Sequence, residues 1–300
     1  MSVSKNILEA AKTGFMDSVS FHRAIVVLVR CPKVRSKLFQ CLLLNGIIFL
    51  GSIVVFHWLL APVLSRFIGF VLPNRDSSAG VHEAIGTWLA WVYYSLWIAP
   101  LYIVTFILNT IWYRDIAIDS VDFFSKHVSV GTQSTGASDS VSASLPFQIA
   151  DILLRSLFNL VYLGYLTVLA PYRILYAISL AFLISFNAFE FKYRQFSFSQ
   201  KINLIESNWV YFLSFSLWVA ILVTEFPTMV ENGLLGVLFP FLLINASSSV
   251  KPIPVVVPSD PLHRWTIGWF SKLPVFVVVE KLTDLIVYLI NVYNLSKQKR

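Results

Sequence analysis

The sequence predicts an all-α, polytopic membrane helical bundle with about six membrane helices and amphipathic helices at its N- and C-terminal ends. Three observations carry that prediction. Apolar stretches of bilayer length recur through the 300 residues, where a hydrocarbon core about 30 Å thick needs roughly 20 helical residues, range about 17–25. Hydrophobic residues make up 57% and charged residues 13%, with a mean hydropathy of +0.72, whereas soluble domains are about a quarter charged. Lysine and arginine, finally, crowd into segments that a six-helix threading places on one side.

Residues 4–29 read as one amphipathic helix. Ile7, Leu8, Ala11, Phe15, Val19, His22, Val26 and Val29 recur at three- and four-residue steps, with Lys5, Glu9, Lys12 and Arg23 opposite. Such a helix either lies in the headgroup plane or packs on the protein's own membrane domain. Pro32 is expected to break it, amid Arg30, Lys33, Arg35 and Lys37. Residues 1–38 thus form a terminal segment, ahead of a membrane domain over 39–247 and a C-terminal segment over 248–300.

The first span runs from Cys41 to Leu64, with Asn45, Ser52 and His57 inside it; His57 reads as a structural histidine. A turn-rich loop, Ser65–Ile85, leads to a second span, Gly86–Ile111, which Pro100 should kink. Asp115, Asp119 and Asp122 then share a helix face, a pattern open to a divalent cation and more common as a solvated acidic face. Ser, Thr and Gly dominate 128–144, so a disordered loop is expected there.

A central hairpin follows. Ile152–Ala170 and Ile174–Phe191 are its arms, and Pro171-Tyr172-Arg173 its turn. Asp151 and Arg155, at i and i+4, are expected to form an ion pair that softens the cost of a charge near the interface. Gln195–Ser207 reads as a polar connector. Spans five and six, Trp209–Val223 and Gly233–Ala246, are short: either they cross with help from flanking residues, or they form a re-entrant hairpin. The last helix, Pro274–Tyr293, carries Glu280, Lys281, Asp284 and Asn291 and is expected to be interfacial or packed rather than a seventh span.

Topology follows from the basic residues. The N-terminal tail has seven, the segment 112–150 two, 191–207 three and the C-terminal tail seven, whereas the three segments opposite have two, one and none. Both termini are therefore expected in the cytosol. The same distribution explains the net charge of +7 through anionic lipid, so membrane lipids are expected partners and nucleic acid is not. Cys31 and Cys41 are too few for a disulfide framework. Polar residues stand where the apolar core of a signal peptide would be, so the first span is expected to act as a signal-anchor. There is no G-x-S-x-G, H-E-x-x-H or glycine-rich phosphate loop, so neither an enzyme nor a cofactor is expected.

Five short tags lie in order along the chain: Phe39-Gln40-Cys41 with Leu44-Asn45-Gly46; Ile111-Trp112-Tyr113-Arg114-Asp115-Ile116-Ala117; Phe189-Glu190-Phe191-Lys192-Tyr193-Arg194; Ile205-Glu206-Ser207-Asn208-Trp209; and Leu238-Phe239-Pro240-Phe241. On these, and loosely on Lys272-Leu273-Pro274, the chain resembles the etoposide-induced protein 2.4 family of endoplasmic-reticulum membrane proteins. The resemblance implies a role in autophagy, in autophagosome formation or maturation and aggregate clearance, with partners among autophagy or reticulum membrane proteins. Bacterial sulfate permeases are distant relatives, which keeps transport of an anion or small solute as the alternative. Trp112, Tyr113, Tyr193 and Trp209 are expected to anchor one interface. Asp115, Glu190, Glu206 and Asn208 fall at helix ends in the same layer. Together they are expected to form a cytosolic-side belt, structural or partner-binding. No oligomeric state is legible.

Overall fold

In a computed structural model describing residues 2–63, 66–67, 84, 86–88, 91–128, 145–194, 196–249 and 272–298, every regular element among the described residues is helical. All but Val128 of the expected loop at 128–144, most of the loop at 65–85 and the proline-rich stretch 251–271 lie outside them.

The single N-terminal helix expected over 4–29 is two helices, α1 (Ser2–Ser18) and α2 (Phe21–Arg30). The Ser18 and Ser20 hydroxyls donate back to the carbonyls of Phe15 and Met16, 2.9 and 2.5 Å away, and such side-chain bonds compete with the helical ladder. Pro32 does not simply end a helix. It opens the next one at its first turn, where its fixed φ suits the helix and its missing N–H is no loss. Helix α3 consequently runs Pro32–Val63, taking in the basic segment ahead of the expected start at Cys41.

Helix α4 has its apolar stretch over Gly86–Lys126 and continues to Val128. Wider π-helical turns interrupt both long helices, at Leu43–Leu50 and Phe56–Leu60 in α3 and at Tyr94–Ile98 in α4, just before Pro100. Helices α5 (Leu145–Leu169) and α6 (Arg173–Phe189) form the central hairpin. The expected polar connector is mostly a helix, α7 (Phe198–Ser207). It starts at a capping box in which Ser197 and Gln200 satisfy each other's backbone N–H. At Asn208 the chain bends by 87° into α8 (Trp209–Thr224). Helices α9 (Thr228–Ser248) and α10 (Val277–Gln298) complete the fold.

Among the described residues, three helices, α3, α4 and α9, are long and apolar enough to cross a membrane, or four if the bent pair α7–α8 counts as one span. The arms of the central hairpin, Leu154–Leu169 and Arg173–Phe189, are apolar but shorter. Of the expected membrane helices, some of them open to a re-entrant reading, three or four thus have full spanning length among the described residues.

The main core joins Phe158 and Tyr162 of α5, Phe182, Phe186 and Phe189 of α6, Ile202 of α7 and Phe212 and Phe215 of α8. Its rings meet at centroid distances such as 4.8 Å for Phe189–Phe215 and 5.3 Å for Phe158–Phe186, the separations aromatic pairs favour. Helix α1 lies directly on α8: a Cβ at Gly14 would come 2.3 Å from the Tyr211 carbonyl oxygen. Helix α1 therefore packs on the protein through Ala10, Gly14, Asp17 and Ser18, while Leu8 and Phe15 of the expected apolar face stay exposed. A second core joins Ala24 and Val27 of α2, Val34 and Cys41 of α3, Ile116 and Ala117 of α4, and Leu243 and Ile244 of α9.

A small third cluster ties Phe49 and Ile53 of α3 to Ile98 of α4, with Val230 of α9 against it. The start of α9 therefore stands level with Ile53. Helix α3 continues to Val63, about ten residues and about 15 Å further. Along this extension and the facing part of α4, Trp58, Trp88, Trp91 and Leu96 point outward.

Candidate functional site

Polar groups inside an apolar bundle are costly unless they bond one another, so their pairing locates the junctions of this fold. The densest junction lies where the break between α1 and α2 meets α8 and α9. The buried Asp17 carboxylate accepts from Arg23 Nη1 at 2.9 Å and from the Tyr211 hydroxyl at 2.8 Å. Trp218 Nε1 donates to Ser18 Oγ at 2.8 Å, and Asn245 Nδ2 donates to the Ser18 carbonyl at 2.6 Å.

Lys192, just beyond α6, donates to the Ser249 carbonyl and hydroxyl at the end of α9. Burial pushes the Lys192 ammonium down from 10.5 to about 8, with Asp17 partly offsetting the fall and Arg23 adding to it. Burial and then the Asp17 charge push the Tyr193 phenol up from 10.0 to about 12. Asp17 and Trp218 were not singled out from the sequence, Arg23 was read only as part of the helix's polar face, and Asp17 and Ser18 lie off the apolar face expected there.

The belt residues divide among several junctions. Trp112 packs on the second core. The Tyr113 hydroxyl donates to the Gly236 carbonyl at 3.0 Å while its ring meets Phe239 edge-on at 5.0 Å. Asp115 pairs with Lys37 at 3.1 Å. These three link α4 to α3 and α9. Asp122 faces Arg194 at 3.9 Å, and among the described residues no three metal-ligating side chains group together.

Glu190 accepts from Arg155 Nη1 at 2.6 Å across the central hairpin. The side chain of Asp151, the expected partner of Arg155, lies outside the described residues; the carboxylate across the hairpin is a partner that Arg155 has among them. Tyr193 stacks between Phe189 and Phe196, at 6.0 and 5.7 Å.

Glu206, Asn208 and Trp209 mark a third junction. Asn208 Nδ2 returns to the Leu204 carbonyl at 2.9 Å, and Trp209 packs on the main core. Glu206, 3% exposed, holds the start of the C-terminal segment: Lys272 Nζ is 3.3 Å from Oε2 and the Phe276 amide 3.3 Å from Oε1.

Within the apolar length of the helices, several further polar side chains tie helix to helix. The amides of Asn45 in α3 and Asn109 in α4 bond reciprocally at 3.0 and 2.9 Å, and Asn45 also donates to the Cys41 carbonyl. A Cβ at Gly236 would lie 2.4 Å from Asn45 Oδ1, so only glycine lets α9 approach that pair. Ser185 and Ser216 join α6 to α8. The Tyr176 hydroxyl donates to Glu231 at 2.7 Å, and Arg173 pairs with Glu225 at 2.8 Å, both linking α6 to the α8–α9 turn region. His57 meets the Tyr94 hydroxyl at 3.2 Å, tying α3 to α4.

Residues 20–225 match the family described as sulfate transporter CysZ/etoposide-induced protein 2.4. A protein EI24 homolog of Arabidopsis thaliana is 26% identical over 312 residues, covering 95% of this chain and 95% of that protein. One of Dictyostelium discoideum is 24% identical over 290 residues, covering 95% of this chain and 86% of its own. No solved structure matches.

Proposed function

The chain belongs to the sulfate transporter CysZ/etoposide-induced protein 2.4 family, and from that premise we propose that it is a non-enzymatic, multi-pass protein of the endoplasmic-reticulum membrane acting in autophagy. Autophagosome formation or maturation and the clearance of aggregates are the steps in question, with reticulum or autophagy membrane proteins as partners. Likeness to two EI24 homologs along 95% of the chain supports this reading. The observation that carries it from the molecule is the use of its intramembrane polar groups. Asn45/Asn109, Ser185/Ser216, Tyr176/Glu231 and Arg155/Glu190 are each paired between helices. Groups committed to interhelical bonds suit a body held in one arrangement. Deleting the protein should slow the turnover of autophagic cargo; unchanged turnover would remove the proposal.

Both termini are assigned to the cytosol, because lysine and arginine cluster on the side that holds them. Asn245 and Asn294, each in a glycosylation sequon, should then carry no sugar in cells.

A second reading, transport of an anion such as sulfate, is favoured by the family's description and by one feature of the hairpin tips. The first residue of α6, Arg173, stands near the start of α9, so two positive helix ends and a guanidinium lie together. Glu225 neutralises Arg173 there, as Glu190 does Arg155. Sulfate flux into proteoliposomes that is lost on Arg173→Ala or Arg155→Ala would establish transport in place of the first reading.

A further inference from the structure

Helix α2 turns an apolar half outward at the edge of the membrane domain. Its inner face, Ala24 and Val27, packs in the second core with Val34 and Cys41 of α3 and Ile116 and Ala117 of α4. That level also holds the Lys37–Asp115 pair. Near the start of α2, Arg23 Nη1 lies 3.4 Å from the Ser248 carbonyl, where α9 ends. Helix α2 therefore lies in the layer where the apolar helices give way to charge. Of its six exposed residues four are large and apolar, Phe21, Ile25, Val26 and Val29, and the others are His22 and Arg30. Phe21, Ile25 and Val29 follow at four-residue steps and form one ridge, 47, 58 and 68% exposed. On α1, Leu8, Phe15 and Met16 are exposed as well.

The free charges beside this ridge are almost all of one sign. Arg23 is paired with Asp17, and Lys37 with Asp115. Lys5, Lys12, Arg30, Lys33 and Arg35 are exposed, and among the described residues none of them forms an ion pair. Against these five, Glu9 is the one exposed carboxylate of α1, α2 and the first turn of α3. Water would leave the ridge without apolar cover, and the acyl interior would strip the cations of solvent. The headgroup–acyl boundary satisfies both, and an excess of lysine and arginine there favours anionic headgroups. An acidic protein surface would match the cations but not a ridge lying in the membrane edge. We propose that the outward faces of α1 and α2 form a binding surface for anionic phospholipid, the ridge entering the acyl boundary and the five cations taking the headgroups. At this one surface lipid is a ligand selected by charge, and not only the general surroundings of the bundle.

The test uses the full chain with Cys31→Ser, Cys41→Ala and Val29→Cys, the new thiol carrying an environment-sensitive fluorophore, reconstituted into phosphatidylcholine vesicles. Brominated phosphatidylserine or brominated phosphatidylcholine is added at equal mole fraction as a contact quencher. The anionic quencher should be favoured at position 29 by about fivefold or more, the equivalent of about 1 kcal/mol for a single cation at an anionic surface. That preference should fall toward unity in about 1 M salt, where the screening length is about 3 Å. It should fall likewise when Lys5, Lys12, Arg30, Lys33 and Arg35 are all changed to glutamine. The same label on Leu96→Cys, an exposed position in the far half of α4, should show no preference. No quenching at position 29 by either lipid, equal quenching by both at low salt, or the same preference at position 96 would each overturn the proposal.

Discussion

Helix α8 and the far halves of α3 and α4 are alike in composition and opposite in surroundings. On α8, Phe212, Phe215, Val219 and Val223 have no exposed surface, while Trp58 of α3 is 83% exposed and Leu96 of α4 75%. Over an 18-residue apolar window of each helix the contrast persists: 50% of that of α9 is buried inside the protein, 33% of that of α3, and 11% of that of α4. Apolarity decides that a segment avoids water. It does not decide whether protein or lipid replaces the water, because lipid tails are as apolar as leucine.

Four measurements sharpen or break this contrast, the largest first. Phe212→Ala should cost about 3–5 kcal/mol in stability, the usual loss for a buried ring. Trp97→Ala, at an exposed position in α4, should stay within about 0.5 kcal/mol. Thermal unfolding in detergent compares the two, and equal losses would mean that α4 is as packed there as α8. Next, Gly14→Leu must push α1 off the Tyr211 backbone, costing about 3 kcal/mol, whereas Gly164→Leu, with nothing within 4 Å, should lower stability little. If both are silent, α1 does not dock on α8.

The amide pair gives a smaller effect. Asn45→Ala leaves the Asn109 amide without its partner and should cost about 1–2 kcal/mol, within the range for interhelical bonds in membranes. Adding Asn109→Ala should cost less than it does alone, and strict additivity in that cycle would show that the pair is not coupled.

The smallest effect is a pH dependence. Because the Lys192 ammonium sits near 8 when folded and 10.5 when not, folding disfavours its charged form. Below pH 8 that cost is constant, and it is relieved as pH rises from about 8 toward 10.5. Tyr193 acts oppositely above pH 10, since its phenol, pushed up to about 12, keeps its proton in the fold after the unfolded chain has lost it. Asp17, Arg23, Tyr193, Tyr211 and the Ser249 hydroxyl are the groups around Lys192. Stability should therefore rise modestly from pH 8 to 10 in the intact chain, and Lys192→Met should flatten the rise.

Much of this was legible in the residues. Periodicity placed the long helices, and Pro171-Tyr172-Arg173 marked the hairpin turn that the structure shows between α5 and α6. The capping box at Ser197 and Gln200 was a readable sign that the connector is helical. Glu190 as the partner of Arg155 was not readable, because 35 residues separate them and only the fold of the hairpin closes that distance. Nor was the role of Glu206 as the grip on Lys272 and Phe276, for the same reason.

The sequence by itself determined that this chain is helical, shielded from water along its apolar runs and basic in its two tails, because those properties follow from local composition. Only the tertiary structure decided which apolar faces meet protein, where α1 docks and which polar groups pair. Those depend on shape at contacts such as Gly14 on Tyr211 and Gly236 on Asn45, where a single methyl group would not fit.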